Sequence, residues 1–186
     1  MRWPLLFFSI GPVVAFMALR GRGPLSRAVG AALATAVIEF AYNSVQLGRI
    51  EPFSLLSGAL FGLFGALALW RRDERFFQLQ PVALEVLLAA IFLYYGLVRD
   101  VPLFAVIVKD AIGIDAVLPA YQRGYAEVYA ITLSRSIPYL FLVHAGLTAY
   151  AAAKRSCWVW FHVRVFGFYA MLVALFLAER LLGVTP

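Results

Sequence analysis

The chain has 186 residues, of which 63% are hydrophobic and only 14% charged, and it carries a net charge of +6. Soluble domains average about 45–50% apolar and about 25% charged residues, so the composition excludes an ordinary soluble domain and points to a membrane. The basic residues are spread between apolar runs, which argues against a nucleic-acid surface and assigns them to topology and to anionic lipid headgroups.

Six apolar runs follow one another, near residues 3–19, 28–47, 53–70, 82–98, 132–153 and 160–180. A helix needs about 20 residues to cross about 30 Å of hydrocarbon. The expected fold is therefore an all-α integral membrane protein: one polytopic domain over residues 1–186, a compact bundle of five or six transmembrane helices with short interfacial segments. The first run, "WPLLFFSIGPVVAFMAL", is interrupted by Gly11 and Pro12, which makes it either a span or a half-span. It opens like a signal peptide but meets no small-residue cleavage site and no polar mature region, so it is read as retained.

The second run carries Glu39 near its centre. A charge there costs roughly 2.5–3.5 kcal/mol on insertion scales unless it is paired, neutralised or wetted. Asn43 lies one turn on, on the same face, and can donate to it. Three readings stay open: a neutral acid bonded to a neighbouring helix, a partner of Arg135 or His144, or a group that binds a ligand or proton. In the third run, Ser54, Gly58, Gly62 and Ala66 form a small-residue stripe at spacing four, suited to close helix contact inside the bundle or between protomers of a homo-oligomer. The connection "RRDERFFQLQP" holds five charges, but Asp73 and Glu74 are adjacent and point to different faces, which suits neither a metal pair nor an acid/base pair.

After the fourth run, "VPLFAVIV" is too short to span and should lie at the interface or fold against the bundle; "KDAIGIDAVLPAYQRG" reads as loop. The fifth run, Tyr125–Ala153, is too long for one crossing, so "GYAEVYAITLSR" is expected along the surface and the 18 residues Ser136–Ala153 across the bilayer. Arg135 then anchors the boundary by snorkelling, with a bend at Pro138. His144 is nine residues further, on roughly the opposite face, and is read as an interhelical hydrogen bonder. His144 and His162 are the only histidines and Cys157 the only cysteine, so no metal site, haem pair or internal disulfide is expected. The sixth run opens "CWVWFHVRVFGF", where Trp158, Trp160 and Phe161 read as an aromatic girdle, with His162 and Arg164 reaching for headgroups.

No nucleophile elbow, P-loop, H-E-x-x-H or Asp-rich phosphotransferase pattern is present, so neither an enzyme nor a cofactor is expected. With six crossings, eight basic residues fall on one side and six on the other, which leans toward both termini outside.

The order of features resembles the intracellular septation protein A family of small bacterial inner-membrane proteins. "LLFFSIGPVVAFMAL" is similar to its opening run, "AALATAVIEFAYNSVQLGRIEP" to its second span, and "WRRDERFFQLQPVALEVLLA" to its Asp-Glu-Phe connection, with Asp73, Glu74, Phe76 and Pro81 in matching places. "LPAYQRGYAEVYAITLSR" resembles its approach to the fifth span, and Trp158, Phe161 and Gly167 its Trp-x-x-Phe-Lys-x-x-Gly opening of the sixth. Phe161-His162 in place of Phe-Lys, and Glu39 in a span that is usually uncharged, are the departures of a divergent paralogue. The resemblance implies a multi-pass protein of the bacterial inner membrane that supports cell division and cell-wall or lipid biogenesis, with other inner-membrane division or envelope-synthesis proteins as partners beside the lipid bilayer. It implies no reaction, and it places the termini in the cytoplasm, against the charge count. The alternative is a small transporter or lipid-handling protein that uses Glu39.

Overall fold

The computed structural model describes residues 10–48, 52–112, 120–154 and 156–181, and every element among them is helical. Helix α1 (Gly11–Arg20) starts where Pro12 sets φ and needs no hydrogen-bond partner for its missing N–H. Helix α2 (Leu25–Leu47) ends at Gly48, whose φ of 62° is the left-handed geometry that glycine adopts without a Cβ clash. Helix α3 (Pro52–Arg71) is followed by the five-residue α4 (Glu74–Gln78), then α5 (Gln80–Leu97) and the ten-residue α6 (Leu103–Ile112). Helix α7 (Ala120–Ala153) has 34 residues, and α8 (Cys157–His162) passes through a π-helical turn, Val163–Gly167, into α9 (Phe168–Leu181).

Four of these stretches are long and apolar enough to cross a membrane, among the described residues: Leu25–Val45, Glu74–Leu97, Val128–Ala153 and Cys157–Leu181. Gly11–Arg20 and Leu55–Arg71 are shorter apolar helices. Residues 3–9 of the first run lie outside the described residues.

The segment expected along the surface instead continues α7 without a break through Arg135 and Pro138. Local hydroxyls stitch this stretch: Thr132 Oγ1 donates to the Val128 carbonyl (3.0 Å) and Ser134 Oγ to that of Ala130 (2.9 Å). Pro138 leaves the Ser134 carbonyl without its helical N–H, a loss that membrane helices tolerate.

The helices group into two compact units, one comprising the chain to Leu84 with Leu147–Val165, the other Glu85–Gly146 with the chain from Phe166. In the first unit, Phe16 stacks on Phe77 at 4.5 Å between ring centroids, and Trp160 meets Phe16 edge-on at 6.3 Å. Trp160 is therefore core and not girdle: it is 1% exposed and its Nε1 donates to the Gln78 carbonyl at 3.0 Å, while Trp158, two positions earlier on the helix, is 67% exposed. Helix α2 packs closely on α3 at Gly65, where a Cβ would meet the Leu33 and Val29 side chains at 3.3–3.4 Å.

In the second unit, Phe92, Leu133 and Ile137 form the core, joined by Phe104, Phe141 and Phe176 among others. The short helix α6 packs there through Leu103 and Phe104. Its third backbone N–H, on Ala105, has no partner within the helix and is taken by Ser134 Oγ of α7 at 3.2 Å, a cap supplied from another helix.

Candidate functional site: ionisable groups inside the helices

The second unit buries a carboxylate against an imidazole. Glu85 Oε2 and His144 Nδ1 are 2.8 Å apart, with side-chain exposures of 4% and 0%. The Phe168 ring closes on His144 edge-on at 5.4 Å. Glu85 stands eleven residues after Glu74 and twelve before Leu97, about 17 Å from either end of its stretch. His144 stands nine residues before Ala153, about 14 Å from that end. Both groups thus lie near mid-depth, where an ionisable side chain is expensive unless paired.

A second buried carboxylate lies toward the far end of α9. Ser136 Oγ donates to Glu179 Oε1 at 2.7 Å. Glu179 is 5% exposed, and its Oε2 has no hydrogen-bond partner among the described residues. Between the two polar contacts, on α7, Ile137 and Leu140 are buried, and Phe141 stacks on Phe168 at 5.7 Å. This apolar layer separates the mid-depth pair from the edge pair.

In the first unit, Glu39 is half-buried in α2, and its carboxyl lies directly against Gly11 at the start of α1, beside the Thr35 methyl. The first backbone N–H groups of α1 are unsatisfied within the helix, and that end carries the positive pole of the helix dipole. The glycine-proline break therefore sets a helix start beside this carboxyl. Thr35 itself bonds its own helix, donating to the Ala31 carbonyl at 2.9 Å. Asn43 is half-buried on the same helix.

The remaining residues singled out from sequence separate clearly. His144 bonds Glu85, and the group lodged against Glu39 is Gly11. Arg135 is exposed, 18 residues before Ala153 and so about 27 Å along the helix from it, close to the full hydrocarbon thickness. The half-turn offset that separates Arg135 from His144 puts one side chain outside and the other in the core. Gly58, Gly62 and Ala66 are all exposed, and a Cβ on either glycine would meet nothing within 4 Å. The side chain of Ser54 lies outside the described residues.

Sequence reasoning passed over Glu85 and Glu179. Glu85 carried the same signal as Glu39, an acid inside an apolar run, but it stood three residues into a run taken to start at Val82. The helical stretch reaches back to Glu74, which moves Glu85 to the middle. Asp73 and Glu74, which had no chemistry assigned, are structural. Asp73 caps α4 by accepting the Arg75 N–H at 3.0 Å, and Glu74 pairs with Arg20.

Apolar helices of membrane-crossing length that enclose paired ionisable groups define a multi-pass membrane protein. The family model for intracellular septation protein A matches residues 5–183, and the chain belongs to that family. It is similar to the inner membrane-spanning protein YciB of Brucella anthropi, 27% identical over 173 residues covering 85% of this chain and 74% of that protein. To the YciB protein of Vibrio parahaemolyticus it is 24% identical over 165 residues, 89% of this chain and 80% of the other. To that of Methylobacillus flagellatus it is 26% identical over 77 residues, 41% and 43% of the two chains. No solved structure matches. This is thus a multi-pass inner-membrane protein of the septation family.

Proposed function

We propose that the chain supports cell division and envelope biogenesis without catalysing a reaction, by binding other inner-membrane proteins through its helix faces. The observation that carries this reading is the two-sided character of α3. One edge packs inward through Phe61, Gly65 and Ala68, all buried. The other, through Gly58, Gly62 and Ala66, is exposed and free of side-chain bulk. A small-residue edge lets a partner helix approach closely, and close approach is what drives association in lipid, where the hydrophobic effect between helices is absent.

The test is complementation of the envelope defect in a strain lacking the chain, scored beside protein level. Gly62→Leu fills the edge without touching the internal core, and it should abolish complementation while the protein accumulates normally. Full complementation by Gly62→Leu would sink the proposal. A second reading, a small transporter or lipid-handling protein, is favoured by one feature: Glu39 is half-buried in a span and set against a helix start. It requires Glu39→Gln to lose function at unchanged protein level.

A further inference from the structure

Three chain connections of the first unit are bound together at one end of its helices. Arg20, the last residue of α1, pairs with Glu74 at the start of α4. Cys157 Sγ at the start of α8 lies 3.1 Å from Met17 Sδ of α1 and 3.6 Å from Gln78 Nε2 of α4. Trp160 adds its bond to the Gln78 carbonyl. These contacts hold the α1–α2 connection, the α3–α4 connection and the α7–α8 connection in one layer.

That layer is strongly cationic. Two of its basic residues are neutralised, Arg20 by Glu74 and Arg75 by Asp73 at 3.7 Å. Arg22, Arg27, Arg71, Arg72 and Lys154 are exposed, and among the described residues none has a carboxylate within ion-pair distance. Arg72 takes the left-handed conformation, φ 54°, which few non-glycine residues occupy, and so turns the chain sharply between Arg71 and Asp73. Three large aromatic side chains flank the layer: Trp70 is 74% exposed, Trp158 67% and Tyr150 62%. Two of the cations lie over these rings, the Arg71 guanidinium over Trp70 at 4.9 Å and the Lys154 ammonium over Tyr150 at 5.1 Å.

Exposed tryptophan and tyrosine at the ends of apolar helices sit at the headgroup level of a bilayer. Cations at that depth face phosphates, and arginine binds phosphate in a fixed fork. The cluster is too short and too close to lipid for a nucleic acid. We propose that this end of the first unit is a binding site for anionic phospholipid, with Arg22, Arg71 and Arg72 on the headgroup phosphates and Trp70 and Trp158 on the adjoining acyl and glycerol region. The fixed connections make it a preformed site, so it selects individual anionic lipids from a mixed bilayer.

The test uses the full chain in nanodiscs, with spin-labelled phosphatidylglycerol and phosphatidylcholine as probes. The wild type should hold phosphatidylglycerol at least about fivefold more tightly, the size that one cation contributes near an anionic surface. The preference should fall as sodium chloride is raised. Arg22→Gln/Arg71→Gln/Arg72→Gln should bring the ratio close to one, whereas Arg99→Gln/Arg135→Gln/Arg180→Gln, which removes as many exposed arginines from the second unit, should leave it in place. Equal affinity for the two lipids in the wild type, a preference indifferent to salt, or one that survives the triple substitution would overturn the assignment. So would displacement of the labelled lipid by inorganic phosphate, which would make the site one for soluble phosphate. Circular dichroism of each variant confirms that the helices are intact; a triple variant that has lost them is replaced by the three single substitutions, each of which should lower the ratio.

Discussion

Breaking the Glu85–His144 pair should destabilise the second unit by a predictable amount. Interhelical hydrogen bonds in membrane proteins contribute about 0.6 kcal/mol on average and up to about 1.7 kcal/mol. This one joins two ionisable groups that are both almost fully buried at 2.8 Å, which places it at the upper end. His144→Ala also removes the edge contact to Phe168, worth about 1 kcal/mol. The expected loss is therefore about 2.5–3 kcal/mol for His144→Ala, measured as unfolding free energy in lipid bicelles. A double-mutant cycle with Glu85→Ala isolates the pair, because the Phe168 contact is common to both arms. The coupling energy should be about 1–1.7 kcal/mol. A coupling below about 0.5 kcal/mol would refute the reasoning, since it would put the pair at or below an average membrane hydrogen bond despite its burial.

Gly11→Ala should cost at most about 1 kcal/mol, because the Glu39 carboxyl that its Cβ meets is the far end of a flexible side chain and can swing aside; a loss well above that, relieved by Glu39→Ala, would show the carboxyl to be held in place. Phe77→Ala should cost about 3–5 kcal/mol in the same unfolding assay, since the ring is 1% exposed and stacked on Phe16. Arg135→Lys should complement as well as the wild type, since lysine also snorkels from an exposed position near the membrane edge. A dead Arg135→Lys would make this arginine a working charge.

The all-helical membrane fold was legible because length and hydropathy of a run are properties of the sequence alone. Depth was not, because it depends on where a helix starts. The run boundary at Val82 hid the central position of Glu85, and a helix that runs unbroken through Pro138 carried a supposed surface segment into the same rod as the span. Partners were not legible either. Glu39, His144 and Arg135 were visible as unusual charges, but which of them meet is set by helix rotation, and the actual neighbours are Gly11 for Glu39 and Glu85 for His144. The small-residue stripe of α3 was visible as a pattern, yet the close internal contact belongs to Gly65, one residue short of Ala66. A period of four cannot say which edge of a helix is turned inward. For Asp73 and Glu74, adjacency alone argued against a metal or acid/base pair, and their geometry is a helix cap and an ion pair.

In-cell photocrosslinking from α3 tests the proposed role most directly, with the probe placed at position 62 on the exposed edge and, separately, at position 65 on the packed edge. The account predicts that position 62 captures inner-membrane proteins of division or wall synthesis and that position 65 captures only this chain. Capture of such proteins from neither position, or equally from both, would contradict it.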